Sequence, residues 1–162
     1  MSVGPPHSEL HLDKAPPRIT VLPYAYTAPL ALVAAGALLL HWGALALSSP
    51  WASPTLALTH VGTLGFLTMA CAGVFPPLAA TGGDCDLPWP RLSHVVYYAL
   101  VAGAAGLTWG VAHARAGPVF FSIAAIGVMG VAFVAQGVWV LRRARTRGVT
   151  FRGLRVALWS FF

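Results

Sequence analysis

Four long apolar runs constrain this chain more than anything else in it: residues 27–47, 55–80, 94–114 and 118–141. Each can cross a bilayer, because a hydrocarbon core ~30 Å thick takes ~20 helical residues at ~1.5 Å rise apiece. Lipid offers no water to backbone N–H and C=O groups, so a run of that length must satisfy them internally as a helix. The expected fold class is all-α, a polytopic transmembrane helical bundle of four spans. Beyond it lies the start of a fifth span or an interfacial helix.

Composition supports this. Hydrophobic residues make up 57% of the 162 and charged residues only 9%, against ~25% charged in a soluble domain. The length suits one membrane domain. A net charge of +6 does not point to nucleic acid, since the Lys and Arg sit at the ends of the apolar runs. Lys14 and Arg18 precede the first, Arg91 lies between the second and third, and Arg142, Arg143, Arg145, Arg147, Arg152 and Arg155 follow the fourth. Only Arg115 falls in the 115–117 loop, and residues 48–54 carry no charge. The positive-inside rule then puts both termini in the cytoplasm. Asp84 and Asp86 lie in an inner loop, but acidic residues weigh little in orientation.

Three regions follow. Residues 1–18 read as a disordered cytoplasmic tail, 19–141 as the four-helix transmembrane domain, and 142–162 as a basic cytoplasmic segment opening into an apolar stretch. His7, Glu9, His11 and Asp13 alternate in the tail, where ordering a metal site would cost much chain entropy. Ala44-Leu45-Ala46 faintly resembles a cleavage site, but the run before it is too long for a signal peptide and more spans follow. Pro23 to Pro29 should introduce the first helix, Pro76-Pro77 should end the second, Ser93 should cap the third, and Gly117-Pro118 should form an outer turn. Ala102, Gly106 and Gly110 form a small-residue ridge, and Gly127 and Gly130 are further packing positions. The apolar run that closes the chain, 148–162, suggests a fragment of a longer protein, with a short surface helix as the alternative. The bilayer is the expected partner, with a second copy or other membrane subunits beside it.

Histidines are the residues that could carry chemistry. His41 and His60 should each lie ~8–9 Å below the outer surface, on antiparallel neighbouring helices. Imidazole inside a bundle tends to be functional. Two opposed imidazoles suit a haem iron, copper or zinc. The structural alternative is interhelical hydrogen bonding, with Thr59, Thr63 and Thr68 as partners. His113, beside Arg115, joins them as a further metal-ligand candidate whose simpler reading is a wet side chain. Gln136 reads as interhelical glue. Cys71 is ~16 Å along the axis from His60, too far to share a metal. No span contains Asp or Glu, which argues against a carboxylate-based ion transporter.

The stretch Thr59-His60-Val61-Gly62-Thr63-Leu64-Gly65-Phe66-Leu67-Thr68-Met69, followed by Gly73-Val74-Phe75-Pro76-Pro77-Leu78 and Gly82, resembles small bacterial membrane proteins related to haem–copper oxidase subunit I and the NnrS group linked to nitric oxide metabolism, which implies a bacterial inner membrane. The resemblance is close over about twenty residues and otherwise rests on hydropathy. It implies haem b, or copper, bound in the membrane, with His60 as the carried-over ligand and His41 as its companion, for electron transfer or nitric oxide handling. Pro76-Pro77 departs from the family's single proline, and no second histidine set for a copper centre is present. A reading from a different class is a membrane scaffold or assembly subunit without cofactor.

Overall fold

The computed structural model describes residues 12–144 and 149–159. Within them the chain is helical, and four helices are long and apolar enough to cross a membrane. The expectations for residues 1–11, including His7, Glu9 and His11, lie outside the described residues.

The first span starts earlier than its apolar run. Helix α1 covers Arg18–Trp42 and continues as a tighter turn through Gly43–Leu47. Pro23 and Pro29 lie inside it, not ahead of it. Proline removes one N–H and leaves a carbonyl unpaired, but membrane helices tolerate it because neighbours and local adjustments satisfy the freed group. Thr20 Oγ1 donates to Pro17 O (2.7 Å) at the helix start.

The second span, α2, runs Ser53–Gly82. Its centre, Val61–Thr68, is wound as a π-helix between two α-helical parts. Pro76-Pro77 does not end it; α2 passes through both to Gly82, again as lipid-embedded prolines allow. The third span, α3, covers Pro90–Ala112, with Trp89 in the left-handed region (φ 42°) at its mouth. Pro90 at the first position loses no helical bond. Ser93 is therefore inside the helix rather than capping it. The turn to α4 (Ala116–Arg143) is made by His113–Arg115, one step before the expected Gly117-Pro118. Ala114 takes φ 52° there, and Arg115 N–H reaches back to Gly110 O at 2.8 Å.

The tightest interface is α3 on α4. Gly103, Gly106 and Gly110, at helical i, i+3, i+7 spacing, face Ile126, Ser122 and Val119. Gly103 extends the ridge toward Ile126. A Cβ at Gly106 would fall 2.5 Å from Ser122 Oγ, and one at Gly103 2.7 Å from Ile126 Cγ1. Such contact lets backbones approach closely where lipid gives no hydrophobic drive for helices to associate. Gly127 and Gly130 face open space and are not packing positions.

An even number of spans returns the chain to its starting end. The two termini of the bundle and the 83–89 loop share one end, rich in arginine; the 48–52 and 113–115 loops share the other, which holds His41, His60 and His113. At the arginine end α5 (Val149–Trp159) folds back on the bundle, with Leu158 buried against Gly137. Its eleven residues rise only ~16 Å, short of a ~30 Å core. The described part is a short helix beside the bundle.

Candidate functional site

The two ends are built differently. Towards the arginine end, large side chains close the core: Met69, Val96, Leu100 and Phe133 are buried together. A polar knot lies beside them. The Gln136 amide, 1% exposed, bridges Ser93 Oγ (3.1 Å) and Pro88 O (3.1 Å). Tyr24 Oη donates to Ser93 O (2.5 Å), its ring meets that of Tyr97 edge-on, and Tyr97 Oη pairs with Thr27 Oγ1 at 2.8 Å. Gln136 is the interhelical glue its sequence position suggests.

Towards the histidine end the wall-forming residues shrink. Ala31 and Ala34 on α1, Gly65 on α2, and Ala104 and Ala105 on α3 leave a cavity of about 560 Å³. It starts near Thr27, Met69 and Val101 and ends at a rim of His41, Trp42, Trp109 and His113. From Thr27 to His41 is ~21 Å of helix rise. The volume is typical of small-molecule sites, ~300–1,000 Å³, and the lining is mostly apolar.

Few polar groups meet this space. Thr27 is engaged by Tyr97. Thr108 Oγ1 is buried on the wall with no hydrogen-bond partner. This is unusual within the bundle, where Thr59, Thr63, Thr81 and Ser122 all donate to their own i−4 carbonyls. Those bonds engage the Thr59 and Thr63 hydroxyl protons, and the partner of the His60 ring is a carbonyl one turn back, Leu56 O.

The histidines separate. His41 and His113 are exposed residues on the cavity rim. His113 stacks on Trp109 (centroids 3.9 Å apart), and its Nδ1 lies 3.0 Å from Trp109 O. His60 is half-buried, with Nδ1 2.6 Å from Leu56 O. It does not line the cavity, although Val61 and Gly65 on the same helix do. A carbonyl oxygen only accepts, so the proton of each neutral ring sits on Nδ1 in His60 and His113, leaving Nε2 with its lone pair free. In that tautomer a histidine can ligate a metal through Nε2. His41 contacts the Trp42 ring, centroids 6.3 Å apart. The structure thus puts His41 beside the same cavity as His113.

Among the described residues, no three or more His, Cys, Asp or Glu side chains gather as a metal-ligand group. A protein-only zinc or copper site generally needs three or four ligands. A haem brings its macrocycle's donors and asks the protein for one or two. An apolar lining and a rim imidazole that leaves its Nε2 free are what a group of that kind asks of the protein.

At the other end Cys85 is buried, with Sγ 3.8 Å from Val140 O. Burial, then Asp86 and Asp84, push its thiol above the ordinary cysteine range, with Lys14 opposing. It therefore stays a thiol, not a nucleophilic thiolate. Lys14 pairs with Asp86 at 3.3 Å.

No family model matches the chain, and neither curated proteins nor solved structures provide a match.

Proposed function

We propose that this helical membrane protein holds a flat, apolar, haem-class group in the cavity between α1, α2 and α3, and that it serves electron transfer or nitric oxide handling in a bacterial inner membrane with the arginine end cytoplasmic. The observation that carries this reading is an apolar cavity of about 560 Å³ with two imidazoles, His41 and His113, on its rim. When bound, such a group supplies one-electron chemistry at its iron. The chain's own part is to exclude water with Ala31, Ala104 and Ala105, to hold His113 in the ligating tautomer through Trp109 O, and to offer Thr108 Oγ1 as a mid-wall donor. The similarity of the Thr59–Met69 stretch to oxidase subunit I and NnrS proteins makes His60 the competing ligand.

The test is the reduced-minus-oxidised visible spectrum of protein expressed with haem supplementation and purified in detergent. An α-band is expected, lost in His41→Ala or His113→Ala and kept in His60→Ala. A band lost only in His60→Ala moves the site to α2. No band in the wild-type protein overturns the reading. The alternative is a scaffold or assembly subunit without cofactor, but the α3 glycine ridge, a surface that could meet a partner helix, is covered by α4 within the chain.

A further inference from the structure

Among the described residues the arginine end holds more cations than carboxylates: Lys14, Arg18, Arg91, Arg142, Arg143, Arg152 and Arg155 against Asp13, Asp84 and Asp86. Of the chain's four carboxylates, the last is Asp86; residues 87–162 contain no Asp or Glu. That stretch nevertheless holds Arg142 and Arg143 at the end of α4 and Arg152 and Arg155 on α5, all exposed. Arg143 rests its guanidinium 4.3 Å from the centroid of the Trp139 ring, a site on the wet edge of a span.

The way α5 is seated sorts its faces. Leu154 packs on the core and Leu158 is buried against Gly137. At ~100° per residue these two, four apart, share one side of the helix; Arg152 and Val156 fall on the opposite side, and Arg155 lies on the flank beside Arg152. Arg152 and Arg155 are exposed there, and Val156 is 70% exposed. An exposed apolar residue next to exposed cations suits the boundary of acyl chains and phosphates, where arginine stems lie in the apolar layer and their heads reach outward.

We infer that α5 and the end of α4 form a binding surface for anionic phospholipid headgroups, with Arg152 and Arg155 as the principal phosphate contacts and Arg142 and Arg143 beside them. Guanidinium donates in a planar fork that matches phosphate oxygens. An anionic leaflet attracts cations near its surface, and with seven described cations against three carboxylates at this end the lipid is the complementary charge for the excess. The surface is independent of whatever occupies the histidine-end cavity.

The test uses the full chain in lipid nanodiscs or mixed micelles, with phosphatidylglycerol and phosphatidylcholine as probes. Native mass spectrometry should show phosphatidylglycerol retained in preference to phosphatidylcholine. Affinity should fall about fivefold for each arginine removed, from the contribution of a cation near an anionic surface. The Arg152→Gln/Arg155→Gln double variant should lose most of the preference, and Arg91→Gln, on a different helix of the same end, should keep it. Equal retention of the two lipids by the wild-type chain overturns the inference. A double variant that folds and keeps the full preference overturns it as well.

Discussion

The α3–α4 pair and the α1–α3 pair show two uses of small residues in one bundle. Along α3 on α4, Gly103, Gly106 and Gly110 each meet a side chain of the partner helix, so their missing side chains are space already filled. Along α1 and α3 at the histidine end, Ala31, Ala34, Ala104 and Ala105 face one another across a cavity. Small residues are therefore not a packing signal by themselves. They let helices close up where polar or aromatic neighbours do not hold them apart, and leave room where they do. The Tyr24–Tyr97–Thr27 contacts fix α1 against α3 at one level, beyond which the alanines cannot fill the gap.

The largest effect should come from the filled side. Gly106→Leu puts a branched side chain where even a Cβ would lie 2.5 Å from Ser122 Oγ. Overpacking of this kind costs ~1–3 kcal/mol and at times more, and here neither backbone can retreat without separating the helices. Thermal unfolding in detergent should show a strongly lowered midpoint or no folded species. Survival of Gly106→Leu at wild-type stability would mean that α3 and α4 are not in contact along this ridge.

Next is the polar knot that holds the arginine end shut. Gln136→Leu removes two donated hydrogen bonds and leaves Pro88 O and Ser93 Oγ without them. Interhelical bonds in membrane proteins average ~0.6 kcal/mol and reach ~1.7, and unpaired buried partners add to the loss. A destabilisation of ~1–2 kcal/mol is expected, measured as a shift in the denaturant midpoint. A neutral result would show that water reaches this level and replaces the amide.

The contrast also marks what a sequence can disclose. Span number and class follow from hydropathy alone, because lipid leaves one way to satisfy the backbone. Proline rules learned in water misplaced two helix boundaries: Pro23 and Pro76-Pro77 sit within helices. Gln136 was legible, since an amide in a span has few other reasons to be there. The cavity was not. It depends on how far α1 stands from α3, which no local pattern encodes, and the one hint was a surplus of alanine on both. His113 read as wet, and it is exposed, but stacking on Trp109 also places it on the cavity rim. His60 carries the motif, yet sits at the edge of the π-wound segment and off that wall.

The smallest expected effect probes the open side. Thr108 Oγ1 is buried without a partner, so Thr108→Val removes a hydroxyl that gains nothing in the apo chain. Exchanging an unpaired polar atom for a methyl of similar shape is close to neutral or slightly stabilising, within ~0.5 kcal/mol. The same change should weaken retention of any group that accepts a hydrogen bond at mid-wall. The informative measurement is therefore a pair of midpoints, with and without haem supplementation. A variant neutral without haem and weaker with it ties the hydroxyl to a bound group. A loss above ~1 kcal/mol in the apo protein would mean that Thr108 already has a partner there, ordered water included, and that the cavity is wetter than its alanine walls imply.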